Sequence, residues 1–126
     1  MKITTLVARL LLGLIFFIFG LNGFLQILPL PEHLGPAGDF LGALAATGYF
    51  FPFLKILEIL CGALLLANFF VPLSLAVLAP IVVNIFLFHC FLEPSGVLLP
   101  SVIILLELFL VAQHKKSFQA LFQAKS

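Results

Sequence analysis

Four long apolar stretches, at about residues 4 to 28, 51 to 70, 73 to 92 and 97 to 114, constrain this chain more than any other feature of its sequence. A hydrocarbon core about 30 Å thick is crossed by roughly 20 consecutive apolar residues in helical form, and each stretch meets or nearly meets that length. Of the 126 residues, 63% are hydrophobic and 9% charged, and the mean hydropathy is +1.32. That leaves too little polar surface to cover a water-soluble globule. The expected architecture is therefore all-α, one integral membrane four-helix bundle occupying residues 1 to 126. A formal net charge of +1 supplies no clustered basic face of the kind that phosphate neutralisation needs, so nucleic acid is excluded as a partner.

The punctuation between the stretches agrees with this division. Pro29 and Pro31 end the first helix, whereas Pro52 and Pro72 stand at first-turn positions where proline is tolerated. The run Glu93, Pro94, Ser95, Gly96 is a compact turn that makes the third and fourth helices an antiparallel hairpin. The longest connection, residues 29 to 50, carries Glu32, His33 and Asp39. Within it, Asp39 to Thr47 reads as a short, mostly apolar helix capped near Gly38 or Asp39, too short to span and expected at the membrane interface. Lys2 followed by an apolar run invites comparison with a secretory signal. Arg9 interrupts that run, the stretch from Leu10 to Leu28 is long for a signal, and no small-residue cleavage site follows, so a retained helix is expected.

Orientation follows from the basic residues. With the N-terminus cytoplasmic, Lys2, Arg9, Lys115, Lys116 and Lys125 share that side and Lys55 alone lies on the other, as the positive-inside rule favours. The expectation is a multi-pass protein of a cell membrane, of bacterial inner-membrane type, with both termini inside.

Ionisable side chains at membrane depth cost on the order of a few kcal/mol each, so each needs a partner, a watery cavity or a function. At about 100° per residue, Arg9, Gly13, Phe16, Gly20 and Gly23 fall within roughly 40° of one line on the first helix. This stripe is expected to face the other helices, with the glycines permitting close approach and Arg9 pointing inward. Glu107 lies about 10 Å inside the fourth helix from its cytoplasmic end, at a depth comparable to Arg9. A structural ion pair between Arg9 and Glu107 is the expected contact. The alternative is Arg9 snorkelling to the headgroups while Glu107 stays alone in its apolar site.

Near the opposite face, Lys55, Glu58 and Gly62 share one side of the second helix, His89 and Glu93 are one turn apart on the third, and Asn22 ends the first. With the deeper Asn84, these residues make a candidate ligand-binding pocket of Glu58, His89, Asn84, Lys55 and Asn22, in which Glu58 and His89 at similar depth bridge one small polar ligand. The competing reading pairs Lys55 with Glu58 at i and i+3 and leaves His89 on a backbone carbonyl. Asn84 and His89 are separated by about 140° around their helix, so both do not point squarely into one small pocket. Asn84 also follows Pro80 by one turn, where its amide is placed to patch the carbonyl freed by the proline.

Cys61 and Cys90 differ in axial position by roughly 12 Å, and a disulfide needs Cα atoms within about 7 Å. Both are expected as packing residues. No metal-ligand spacing, haem, flavin or iron–sulfur pattern, phosphate loop or nucleophile elbow is present, so no catalytic residue is assigned and no metal is expected.

The segment ARLLLGLIFFIFGLNGF, followed after a loop by FLKILEILCGALLLANFFVPLSLAVLAPIVVNIFLFHCFLEPSG, resembles the DoxX-like membrane proteins across nearly the whole chain. The likeness rests on the pattern from Arg9 to Gly20, the segment from Glu58 to Gly62 and the stretch from Asn84 to His89. Many members carry a lysine just after the glycines of the first helix, where this chain has Asn22, Gly23 and Phe24. The resemblance implies a compact four-helix bundle and, for some members, quinone-linked oxidation of sulfur compounds. The function expected on that basis is an accessory or small-ligand-binding membrane component near quinone or respiratory chemistry, not an enzyme on its own, with quinone as the one electron carrier left open. The rivals are a quinone-dependent oxidoreductase subunit and a small oligomeric transporter. The lipid bilayer is the expected partner, together with further copies of the chain or a larger membrane complex.

Overall fold

The computed structural model describes residues 2–25 and 35–125, and among them the chain is helical throughout its regular structure, without β-strands. The helices run in the order α1 (Ile3–Leu25), α2 (Pro36–Ala46), α3 (Phe50–Ala67), α4 (Val71–Phe91), α5 (Leu98–Gln113) and α6 (Lys115–Gln119). The proposed end of the first helix at Pro29 and Pro31, along with Glu32 and His33, lies outside the described residues. Helices α1, α3 and α4 are each long and apolar enough to cross a membrane. Helix α5 qualifies only together with the segment Lys115–Phe122, from which it is bent by 84°.

The fourth span expected over residues 97 to 114 is therefore shorter than anticipated. The 16 residues of α5 rise about 24 Å, less than the roughly 30 Å of a hydrocarbon core. The sequence at the bend supplies a reason. Lys115 and Lys116 stay exposed while Phe118 turns back and is buried, the division of charged and apolar faces that holds a short helix flat at an interface.

Helix α2 also departs from expectation, starting at Pro36 instead of near Gly38 or Asp39. Proline at the first helical position lacks only an N–H that would go unused, and Gly35 before it takes φ 68°, a left-handed conformation that glycine adopts without a Cβ penalty. Asp39 then falls in the first turn, where its charge meets the positive end of the helix dipole. Phe40 of α2 packs on Phe88 of α4 with ring centroids 5.8 Å apart, placing α2 beside the end of α4 that leads into the Pro94–Gly96 turn.

The tightest helix contact joins α1 and α3, and glycine makes it. A Cβ on Gly62 would sit 2.6 Å from the Phe17 nitrogen and 2.8 Å from the Gly13 carbonyl oxygen, and one on Gly20 would sit 2.9 Å from the Ile59 nitrogen. With Gly13 facing Gly62 and Leu65, and Gly23 facing Lys55, rising number in one helix meets falling number in the other, so the pair is antiparallel. Of the inward stripe expected on α1, Arg9, Gly13, Phe16 and Gly20 are buried, whereas Gly23, at the end of the helix, is exposed.

Helices α4 and α5 form the expected hairpin through a single 3₁₀ turn, Pro94–Gly96, in which the Ser95 hydroxyl donates to Glu93 Oε1 at 2.9 Å. Leu12 and Phe16 of α1, Leu65 of α3, Leu75 and Leu78 of α4 and Leu110 of α5 meet in one fully buried apolar core. The Thr5 hydroxyl donates to Gln113 Oε1 at 3.4 Å, so the beginning of α1 and the end of α5 lie at one end of the molecule. Arg9 brings the end of α3 to the same place.

Candidate functional site

Arg9 is 6% exposed, and its guanidinium nitrogen Nη1 donates to the carbonyl oxygens of Leu65 and, at 3.2 Å, of Leu66. Those carbonyls belong to the last turn of α3, which ends at Ala67. The final four carbonyls of a helix lack intrahelical donors, carry the negative end of the helix dipole, and find no water to bind inside a membrane. The left-handed Asn68 and the following Phe69 return their own N–H groups to Leu64 and Leu65. Arg9 supplies the donor that Leu66 lacks.

This corrects the expected ion pair between Arg9 and Glu107. Among the described residues the two side chains form no salt bridge: Arg9 is committed to the α3 terminus, and both carboxyl oxygens of Glu107 are buried without a hydrogen-bond partner. Glu107, 4% exposed, is among the residues lining an open cleft of about 240 Å³ between α4 and α5, although its carboxyl oxygens themselves are inaccessible from it. Leu75, Val82 and Ile104 form its inner wall, the buried Phe118 and the exposed Phe122 of the bent C-terminal segment also line it, and the remaining lining side chains are apolar too. The exposed Val83 and Leu108 lie at its rim.

Two further polar side chains lie in the core, one of them within electrostatic reach of Glu107. Ser74 of α4 is 1% exposed with its hydroxyl unpartnered, and the buried Cys61 of α3 lies within electrostatic reach of both Ser74 and Glu107. Sequence reading singled out Glu107 and Cys61 but not Ser74. Its signal was available, because a hydroxyl within an otherwise apolar span is itself unusual, whereas the place of Phe118 and Phe122 in the cleft's lining is set only when the segment after α5 packs beside α4.

The residues grouped near the opposite end divide into two sets. The Lys55 ammonium lies 3.4 Å from Glu58 Oε1, with its methylene stem covering Gly23. Glu58 is 3% exposed, and Asn22 is buried on the neighbouring helix. His89 and Asn84 do not join them. His89 Nδ1 donates to the Ile85 carbonyl at 2.9 Å, and its ring packs over Gly96 in the turn. Counted from the helix ends, Glu58 lies about 12 Å inside and His89 about 3 Å, so the two do not share a depth. Asn84 is exposed, and its amide donates to the Pro80 carbonyl at 2.9 Å, one turn back, so the carbonyl it satisfies is not the one four residues before Pro80 that the proline frees. Ser101 and His114 bond the same way, to the carbonyls of Val97 and Leu110. A polar side chain on an apolar helix is thereby satisfied locally, without a ligand.

Comparison with family models, with curated proteins and with solved structures finds no match to this chain.

Proposed function

We propose that this chain is a four-span integral membrane protein with both termini cytoplasmic, of the DoxX-like type, in a bacterial inner membrane, and that it acts as an accessory component holding a small ligand within the bilayer. The observation that carries this reading is an apolar cleft of about 240 Å³ between α4 and α5, behind which the Glu107 carboxyl is buried with both oxygens unpartnered. The cleft is large enough to be useful, since about 150 Å³ accommodates benzene. The orientation is supported by the basic residues: Lys2, Arg9, Lys115 and Lys116 gather at the end where α1 begins and α5 finishes, and Lys55 lies toward the other.

A quinone ring fits the volume but not the chemistry of the wall. Its two carbonyl oxygens call for donors, and the cleft's side chains offer none, the one carboxyl among them being inaccessible. No electron-transfer step is therefore assigned to this site. The test is native mass spectrometry of the protein released from mild detergent. A retained non-protein mass, lost in Ala79→Leu, which fills the cleft from α4, while the variant remains folded, is the expected result. Wild type carrying no such mass under conditions that preserve bound lipid would remove the reading. A retained quinone would return the oxidoreductase subunit to first place.

A further inference from the structure

The cleft between α4 and α5 runs along the two helices. It follows α4 from Leu75 to Val83, about 12 Å, and α5 from Ile104 to Val111, about 10 Å. One leaflet, half of a hydrocarbon core about 30 Å thick, accommodates that length. A volume of about 240 Å³ drawn out in this way is a furrow one hydrocarbon chain wide, too narrow for a helix about 10 Å across. The exposed Val83 and Leu108 leave it open to the side. Its lining side chains are apolar except for Glu107, whose oxygens lie out of reach behind the wall.

Charge marks the end of the cleft nearest the bend. Val111 and Phe118 both line the cleft, and Lys115 and Lys116, between them in sequence, are exposed. The 84° bend turns this segment across the direction of α5, which sets the two lysines at headgroup level beside the mouth. No exposed acid offsets them among the described residues at this end. Asp39 and Glu93 lie with α2 and the Pro94–Gly96 turn at the opposite end, Glu58 is buried and paired with Lys55, and Glu107 is buried.

We propose that this cleft is a site for an anionic phospholipid of the surrounding bilayer, with one acyl chain lying between α4 and α5 and the phosphate headgroup on Lys115 and Lys116. This rests on the ligand-holding function proposed above and names the class of ligand. Basic residues beside a span attract anionic headgroups, and the cleft adds a seat for the chain that a bare basic surface lacks. The chain enters sideways past Val83 and Leu108. A second copy of the protein suits this face less well, because an isologous contact here would bring the lysine pairs of both copies together with no exposed acid to offset them.

The purified full-length protein in mild detergent is mixed with equal amounts of dioleoyl phosphatidylglycerol and dioleoyl phosphatidylcholine, which share their acyl chains, and the retained lipid is read by native mass spectrometry. Wild type should retain phosphatidylglycerol over phosphatidylcholine by about tenfold or more. The double variant Lys115→Gln, Lys116→Gln should lose that preference. Lys2→Gln, which removes an exposed charge from a helix that does not line the cleft, should keep it. Ala79→Leu, filling the cleft from α4, and Val83→Phe, covering it at an exposed position on which folding does not depend, should each cut retention of both lipids by about tenfold. Equal retention of the two lipids by wild type, or a loss in Lys2→Gln as large as in the double variant, would overturn the headgroup assignment while leaving a ligand-holding cleft. Undiminished retention by both cleft variants would overturn the cleft as the seat of the lipid, as would a lipid-free dimer in place of the lipid-bound monomer. Retention of neither lipid would overturn the proposal, and the absence of any other bound mass would then overturn the ligand-holding function with it.

Discussion

Arg9 and Glu107 are the two ionisable groups a helical reading places at the same depth, and opposite charge alone suggests that they meet. The competition is decided by what else lies within reach. A helix end inside an apolar environment presents carbonyls with no other donor, and a guanidinium whose Nη1 serves two of them gains more than one bond while covering a negative dipole end, at the cost of an unpartnered buried Nε. Glu107 is left without its neutraliser, and the consequences for stability differ in sign. Arg9→Leu should destabilise the ligand-free protein by about 1–3 kcal/mol, because it orphans a terminal carbonyl of α3. Glu107→Leu should stabilise it by a comparable amount, about 1–3 kcal/mol, since it removes an unsatisfied buried carboxyl. Reversible unfolding in mixed micelles measures both, and two changes of the same destabilising sign would restore the ion pair. Lys55 and Glu58 differ from this case because their attraction is local, three residues apart on one helix, and was legible without a fold.

At the scale of elements, the α1–α3 contact depends on the absence of side chains where two backbones touch. Gly62→Ala would place a methyl 2.6 Å from the Phe17 nitrogen and 2.9 Å from its Cα, and backbone inside a helix has nowhere to move. Forced separation of the pair should lower stability by about 1–3 kcal/mol or more, in line with overpacked cores. Gly23→Ala serves as the control. Its methyl meets only the flexible stem of Lys55, so a change within about 0.5 kcal/mol is expected. Equal losses in the two variants, measured by the same unfolding assay, would mean that close helix approach is not what these glycines provide. The α4–α5 pair is built differently, on large side chains that leave a cleft beside Glu107.

For the whole molecule, orientation is the property on which the remaining placements depend. A reporter that fluoresces only in the cytoplasm should be active when fused after residue 126, and alkaline phosphatase should be active when inserted in the Pro94–Gly96 turn. Both reporters giving the opposite result would invert the topology and move the Glu107 cavity toward the outer surface. The 16-residue α5 carries a related expectation. A short span is accommodated by local thinning or by flanking residues that reach the interface, and Lys115 and Lys116 at the bend are the residues placed to do so. Their joint replacement by leucine should straighten the bend and withdraw Phe118 from the cleft. Faster solvent exchange of the Ser117 and Phe118 amides would report that withdrawal.

Much of this protein was written in one-dimensional pattern. The lengths of the apolar runs, the prolines and glycines that interrupt them, and the helical spacing of Arg9, Gly13, Phe16 and Gly20 are local quantities, governed by bilayer thickness, by the φ restriction of proline and by 3.6 residues per turn. They determined which segments became apolar helices, the turn at Pro94 and the face of α1 that turned inward. The partner of each buried polar group was not a local quantity. Arg9 found carbonyls whose need for a donor arises only where α3 stops beside α1, and His89 and Asn84 were satisfied by their own helix and held apart from Glu58. The cleft beside Glu107 takes part of its lining from Phe118 and Phe122, which lie beyond the 84° bend after α5. Tertiary structure decided these because a hydrogen bond is short-ranged and directional, so which of several chemically suitable partners it joins depends on positions to within an ångström, and those exist only once the helices have packed.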